Sequence, residues 1–406
     1  MWNKSLTYIR QFDRNLWILS LGWFVSALGF AAAIPFIGIY FYAEFGMSLT
    51  EIGLFFGVMA VVRSVFQAVG GEVSDRIERL WLLISAQYGR AVIFVLLAAA
   101  IHWHWGFWWC AVLLMVNSAF GAVFQPVANA MVSDILPTER RLDGYAITRT
   151  AGNLGWAAGP AIGGFLATSS YSSLFLMSAV VLLVSAWIFQ RFLKVVHTKQ
   201  QTDRFKFSDI VAIKDDPLLV KHSILIFMLY LVVAQLILPF SVYTVEMVGI
   251  SETQLGFLFS LNGLLVVFLQ IPITRLLSRF ALTTQLAWGG FLYAIGYGML
   301  GMLIGFEYFI LTITVVTVGE MFMSPPSLTL TSRLAPTGRM GRYMGIFGFF
   351  MAAGWSFGPL YGGLILDHLG GTPAVAWFAI SSLAVLSAVG YLIFGHFLPA
   401  EFNAQK

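Results

Sequence analysis

Charge is what this chain has least of. Of its 406 residues only 10% are Asp, Glu, Lys or Arg, while 59% are apolar. A soluble domain carries about 25% charged residues, so this composition excludes an ordinary soluble domain. The mean hydropathy, +0.84, points the same way. Cysteine is nearly absent. Cys110 stands alone inside an apolar run, which excludes an intrachain disulfide and a cysteine-based zinc site and reads as a small core residue. The sequence holds no GxxxxGK[ST] phosphate loop, no HExxH and no zinc-finger spacing, so neither a bound metal nor a nucleotide-hydrolysing cofactor is expected. It also lacks a cleavable leader pattern. The first apolar run, 16–41, is too long for one, although Ala31-Ala32-Ala33 imitates a cleavage site.

What is present is a series of apolar runs, each long enough to cross a bilayer as a helix of about 20 residues. The spans fall at 16–41, 51–71, 81–101, 107–131, 145–168, 173–193, 222–245, 254–274, 285–305, 308–326, 343–366 and 374–397. They predict an all-α membrane protein with twelve transmembrane helices. A membrane β-barrel would instead show short alternating segments. Basic residues test the count. With the N-terminus in the cytoplasm, 20 of the 23 Lys and Arg fall in cytoplasmic segments. The other three, Arg63, Arg90 and Arg149, fall inside helices. The outer loops carry only acids: Glu44, Glu51, Glu246, Glu252, Glu307 and Asp367. This is the positive-inside asymmetry, and it makes the net charge of +4 a record of topology and not of nucleic-acid binding. Both termini are then cytoplasmic, in a bacterial-type inner membrane.

The chain repeats itself. Residues 125–166 align without a gap on 324–365: Pro126 with Pro325, Pro137 with Pro336, Arg140 with Arg339. The block GWAAGPAIGG, 155–164, returns as GWSFGPLYGG, 354–363. Gly53, Gln67 and Arg76 are echoed by Gly256, Gln270 and Arg279. Two six-helix bundles of the same orientation follow, 1–193 and 222–406, joined by a polar linker, 194–221. Parallel repeats with a site between them are one transporter plan. Nothing in the sequence requires a dimer, because the two halves already form a complete unit, so a monomer is expected.

Residues 71–79, GEVSDRIER, resemble the helix 2–3 signature GxxxDRxGR of the major facilitator superfamily, with Glu78 where a second glycine is usual. GWAAGPAIGG resembles the antiporter motif of its drug–proton antiporters. The resemblance extends to length, helix count, half-repeat and linker. One departure is clear: the family places an arginine four residues before a glycine in helix four, and here that position, counted back from Gly121, is Asn117.

The resemblance implies a twelve-helix fold of two pseudo-symmetric bundles, and roles for particular residues. Gly71, Asp75, Arg76 and Arg79 would form a cytoplasmic latch. In it Asp75 faces the start of helix eleven near Tyr343, and Arg76 or Arg79 pairs with Asp134. Helix five would meet helix eight, and helix eleven helix two, so Gly155, Gly159, Pro160, Gly163 and Gly164, with Gly354, Gly358, Pro359, Gly362 and Gly363, would sit at two seams. Small residues let helices approach closely in lipid, and proline favours a kink. The block therefore reads as a hinge or as tight packing. Helices 1, 4, 7 and 10 would line a cavity for a small-molecule substrate. Asn117, Tyr230, Gln235 and Glu320 are candidates there, with Gln67, Asn262 and Gln270 beside them and Trp23, Phe24, Phe120, Phe124 and Phe240 as aromatic company.

Charges inside apolar spans are costly and usually functional. Glu320 lies about 18 Å along helix ten from its outer end, at 1.5 Å per residue. Burial makes a neutral, protonated form accessible, which suits a proton carrier; a structural ion pair is the other reading. Arg63 near mid-depth in helix two would partner Glu320, contact an anionic substrate or stabilise a seam. Arg90 and Arg149 are expected to snorkel to the cytoplasmic face. With no ATP-binding motif, energy would come from a proton or other ion gradient. The expected activity is proton-coupled export of small amphipathic compounds. The rivals are transport of a specific metabolite (sugar, organic anion or siderophore) and a non-transporting receptor or assembly factor, against which the paired hinge block argues.

Overall fold

The computed structural model describes residues 12–74, 77–137, 140–194, 216–336 and 339–403. Asp75 and Arg76 of the expected latch lie outside the described residues, as does 195–215, most of the expected linker. Twelve long helices occur among the described residues. The first half supplies α1 (Arg14–Phe45), α2 (Leu49–Ser74), α3 (Arg79–His102), α4 (Phe107–Ile135), α5 (Arg141–Ala167) and α6 (Tyr171–Phe192). The second supplies α7 (Pro217–Met247), α8 (Glu252–Leu277), α9 (Leu282–Leu300), α10 (Phe306–Leu334), α11 (Met340–Leu369) and α12 (Pro373–Phe397).

Most helices overrun the apolar spans at one or both ends, because hydropathy marks only the part that sits in hydrocarbon while hydrogen bonding continues into the interface. Ten are long and apolar enough to cross a membrane by themselves; α5 and α9 are not. Both are rich in glycine, and α5 carries Arg141, Asp143 and Arg149. They depend on packed neighbours, not on their own hydropathy.

Helix α7 departs from the expectation of one continuous span. An α-helix, Pro217–Val233, passes into a 3-10 turn at Ala234–Leu236, a short α segment at Pro239–Val242 and a π turn at Tyr243–Met247. Pro239 has no N–H to donate, so the ladder breaks before it.

Contacts divide the chain into two compact units. The first comprises 1–40, 58–201 and 251–263; the second comprises 41–57, 202–250 and 264–406. In the first, Leu16, Leu19, Leu83, Phe124, Val127, Met131, Val132 and Phe189 form a buried cluster from α1, α3, α4 and α6. In the second, Trp377 is fully buried between Tyr243, at 5.3 Å, and Tyr297, at 5.9 Å between ring centroids. Large apolar side chains such as Trp108, Phe165 and Phe268 point outward, while Gln87, Ser185, His222 and Gln235 are wholly buried. That inside-out pattern suits a lipid surround, where buried polar groups must find partners within the protein.

His222 is one such paired group. Thr331 donates its hydroxyl to Ser327 O at 2.8 Å, so His222 Nε2–H is the donor toward Thr331 Oγ1, 3.1 Å away. Nδ1 then accepts from the Tyr391 hydroxyl at 3.0 Å. This histidine is a satisfied core residue of α7, α10 and α12.

Candidate functional site: glycine seams and a buried guanidinium

The repeated glycine block divides its faces between two neighbours. In α5 a Cβ on Gly155 would lie 2.6 Å from Phe24 O and 2.7 Å from the Ala27 Cβ. One on Gly159 would lie 2.7 Å from Leu28 O, and one on Gly163 would collide with Ala32 O. All three neighbours belong to α1, in the same half, so the stripe packs inside its own bundle and not on α8 as expected. The copy behaves alike: Gly354, Gly358 and Gly362 meet Phe227 to Pro239 of α7. The reason is spacing. Residues i, i+4 and i+8 share one face, and that face meets one helix.

The next glycine makes the contact with α8. A Cβ on Gly164 would strike Glu252 O, and Gly256 of α8 lies against Pro160 O. In the second unit Gly363 meets Leu49 O and Thr50 N of α2, while Gly53 meets Pro359 O and Leu360 N, both at 2.7 Å from its virtual Cβ. The echo of Gly53 in Gly256 thus has a physical cause: each is the small residue that admits the proline turn of the repeated block.

Polar contacts close both seams at the ends of α11 and α5 and the starts of α2 and α8. Asp367 at the end of α11 accepts the backbone N–H of Leu49 at 3.1 Å and of Thr50 at 2.7 Å, capping α2. A capping box assists, with Ser48 N–H on Glu51 at 2.8 Å and Glu51 N–H on Ser48 Oγ at 3.2 Å. Its copy at α8 pairs Ser251 with Gln254, at 3.0 and 3.1 Å. There Thr168 at the end of α5 approaches Thr253 at 3.0 Å, and Tyr171 donates to Glu252 at 3.3 Å. These helix ends are not among the expected site residues, although the S-x-x-E and S-x-x-Q patterns are a readable signal. Asp367→Ala is expected to remove about 1 kcal/mol of capping and to speed amide exchange at Leu49 and Thr50 several-fold. Unchanged exchange there would refute the role.

Between the start of α3 and the end of α4, Arg79 grips Asp134, with Nη1 2.7 Å from both carboxylate oxygens and both side chains nearly buried. Removing one partner of a buried pair costs about 3–5 kcal/mol. Asp134→Ala is therefore expected to lower thermal stability sharply, and the double change with Arg79→Met is expected to recover part of it. Tyr343 donates a short hydrogen bond to Asp216, whose carboxylate also caps α7 through Leu218 at 3.0 Å and Leu219 at 3.1 Å.

Arg90 contradicts its expected snorkelling. It lies midway along α3 and is only 4% exposed, because acceptors on three helices hold it inward. Its Nε donates to Asn117 Oδ1 at 3.3 Å, and its Nη1 donates to Gln87 Oε1 at 3.2 Å and Ser26 Oγ at 3.5 Å. Gly121 leaves room for the group, since a Cβ there would sit 3.6 Å from Arg90 Nε. The guanidinium missing from position 117 is thus supplied beside it from the neighbouring helix.

The other candidates separate. Arg63, Gln67 and Arg149 are exposed, and Glu320, Tyr230, Asn262 and Gln270 are half-buried. Glu320 is near enough to Tyr293 and Tyr297 for its charge to act on them. Gln270 donates to Thr274 at 3.1 Å. Gln235 is wholly buried, with its amide nitrogen on Gly358 O at 2.8 Å; it ties α7 to α11 and faces no cavity. Phe124 and Phe240 are also core, packed on Trp23 and Phe309. No cluster of three or more metal-ligating side chains occurs among the described residues.

Apolar helices in two sequence repeats, packed through glycine seams around buried charges, define a multi-pass membrane protein. The family model for the Major Facilitator Superfamily matches residues 19–359 and again 223–404, and the chain belongs to that superfamily. It is 28% identical to an uncharacterised MFS-type transporter of Bacillus subtilis, covering 88% of this chain and 89% of the relative. It is 24% identical to a Na(+), Li(+), K(+)/H(+) antiporter of Planococcus maritimus, over 96% and 97% of the two chains. It is 23% identical to the multidrug resistance protein MdtH of Yersinia enterocolitica, over 89% and 90%. Among solved structures the nucleoside transporter NupG superposes with a TM-score of 0.78 at 12% identity, covering 94% of this chain and all of that one. At that identity the likeness shows the fold alone.

Proposed function

We propose that the protein is a proton-coupled exporter of small amphipathic compounds, working as a monomer in a bacterial inner membrane with both termini cytoplasmic. Its six-helix halves, 1–193 and 222–406 about the linker 194–221, alternate access to a substrate site. Nucleic acid has no part in it. The observation that carries the coupling is Glu320, an acid at the middle of α10 and half-buried. A carboxyl group there is able to take and release a proton as its surroundings change. Relatives named as a cation/H(+) antiporter and a multidrug resistance protein support the direction and the coupling.

The repeated block serves as the moving part. Its stripe binds each half together, while Gly164 and Gly363 form contacts that separate without unfolding either bundle. Arg79, with Asp75, Arg76 and Gly71, forms the cytoplasmic latch.

Reconstitution into liposomes with an internal pH dye tests the reading. Ligand-dependent proton movement is the expected result. Absence of such movement in both directions, across a panel of cationic, neutral and anionic amphiphiles, would remove the coupling.

A further inference from the structure

We propose that the cargo carries an oxyanion, a carboxylate or phosphate on an aromatic body, and that Arg63 and Arg90 receive it. The inference rests on the transporter reading and names its substrate class.

Consider first how Arg90 is held. A guanidinium has five N–H donors, and its charge-assisted bonds to carboxylates normally run about 2.7–2.9 Å. Arg79 and Asp134 meet that standard at 2.7 Å. Arg90 does not: its bonds to Asn117, Gln87 and Ser26 measure 3.3, 3.2 and 3.5 Å, and all three partners are neutral. They orient the group without neutralising it. The orientation is itself built. Gln87 donates to Ser185 at 3.1 Å, and Ser185 donates to Gly22 O at 2.8 Å. A side chain kept for packing alone has no need of such a second layer.

Next, the charge balance. Within the apolar spans of the first six helices the one acid is Glu51, at the first position of the second span, where it accepts from Ser48 N–H. Arg63, on α2, is near enough to repel Arg90. Neither forms an ion pair with a described residue of its own unit. Two like charges with no ion pair among the described residues of their own unit are costly, and an anion entering beside them relieves both the burial and the repulsion. Arg63, exposed, meets the ligand first; Arg90, buried, fixes its position.

The surroundings specify the body of the ligand. The Phe30 ring lies 5.0 Å from the Arg90 Cζ and packs edge-on against Trp156 at 6.0 Å. The exposed Phe120 ring covers Gly89, whose virtual Cβ would sit 3.0 Å from it. Aromatic walls beside a guanidinium fit an aromatic acid better than a sugar.

The full chain is titrated calorimetrically with 1-naphthoate, 1-naphthyl phosphate and the uncharged 1-naphthamide. The wild type is expected to prefer one or both anions over the amide by about tenfold or more, the worth of one charge-assisted hydrogen bond. Arg63→Gln is expected to lose most of that preference. Arg90→Lys, which keeps the charge and tests folding by its melting temperature, is expected to lose part of it. Equal affinity for anion and amide in the wild type overturns the proposal. So does the absence of binding by both anions, or a full preference retained in both variants. Because binding is read without a proton gradient, a preference for anions in a protein that moves no protons would spare this inference and sink only the coupling. Proton movement driven by neutral compounds alone would do the reverse.

Discussion

Gly164→Val is expected to part α5 from α8 at their outer ends while leaving α5 seated on α1. The added Cβ would fall on Glu252 O, a backbone atom in the first turn of α8 that has no freedom to rotate away. Overpacking of this kind costs about 1–3 kcal/mol, which changes a conformational population by about fivefold to a hundredfold. The sole native cysteine, buried Cys110, is first replaced by alanine. Thr253→Cys then reports on the seam, because Thr253 touches Thr168 and Gly164 O there. Its alkylation rate is expected to rise with Gly164→Val and to stay low in the parent. Gly163→Val makes the contrast. Its Cβ would collide with Ala32 O of α1, inside one bundle, so the expected effect is a lower melting temperature and poor assembly. Equal behaviour of the two variants, or no change in labelling, would show that the two faces of the block do not have separate tasks.

Glu320→Gln is expected to uncouple the protein. Glutamine keeps the size and most of the hydrogen-bonding capacity of the acid but has no proton to release between pH 4 and 10. Ligand exchange across liposomes without a pH gradient is expected to continue. Ligand-driven proton movement is expected to drop by about a hundredfold or more, as when a positioned acid–base group is lost. Dependence on external pH should vanish with it. Tyr293 packs on Gly319 beside Glu320, and Tyr297, its ring 6.0 Å from that of Tyr293, turns its hydroxyl to Val233 O at 3.4 Å. Tyr297→Phe is therefore a useful control, expected to alter pH dependence without abolishing it. Undiminished, still pH-dependent proton movement in Glu320→Gln would assign the carrier elsewhere.

Much of the molecule was legible in its residues, for reasons that can be named. In lipid every backbone group must be paired within its own segment, so an apolar run of sufficient length has little choice but helix. The asymmetry of Lys and Arg fixes the expected order of loops, and a gapless repeat at an interval of 199 residues fixes the kinship of the halves. The pair of Arg79 with Asp134 was readable because a known signature carries it. Arg90 was misread as a snorkelling residue because depth alone does not reveal the acceptors waiting on α1, α3 and α4. Gln235 was misread for a similar reason: a polar residue on a cavity-lining helix still has a face, and this one faces α11.

By itself, then, the sequence determined the helical class, the repeat and the place of the glycines, because these follow from solvent and from periodicity along one helix. The tertiary structure decided which neighbour each face meets. Gly163 falls on α1 and Gly164 on α8; Asp367 caps a helix 318 residues away. No periodicity encodes those partners, since adjacent positions on a helix point about 100° apart and the identity of the helix met there depends on how all the others pack.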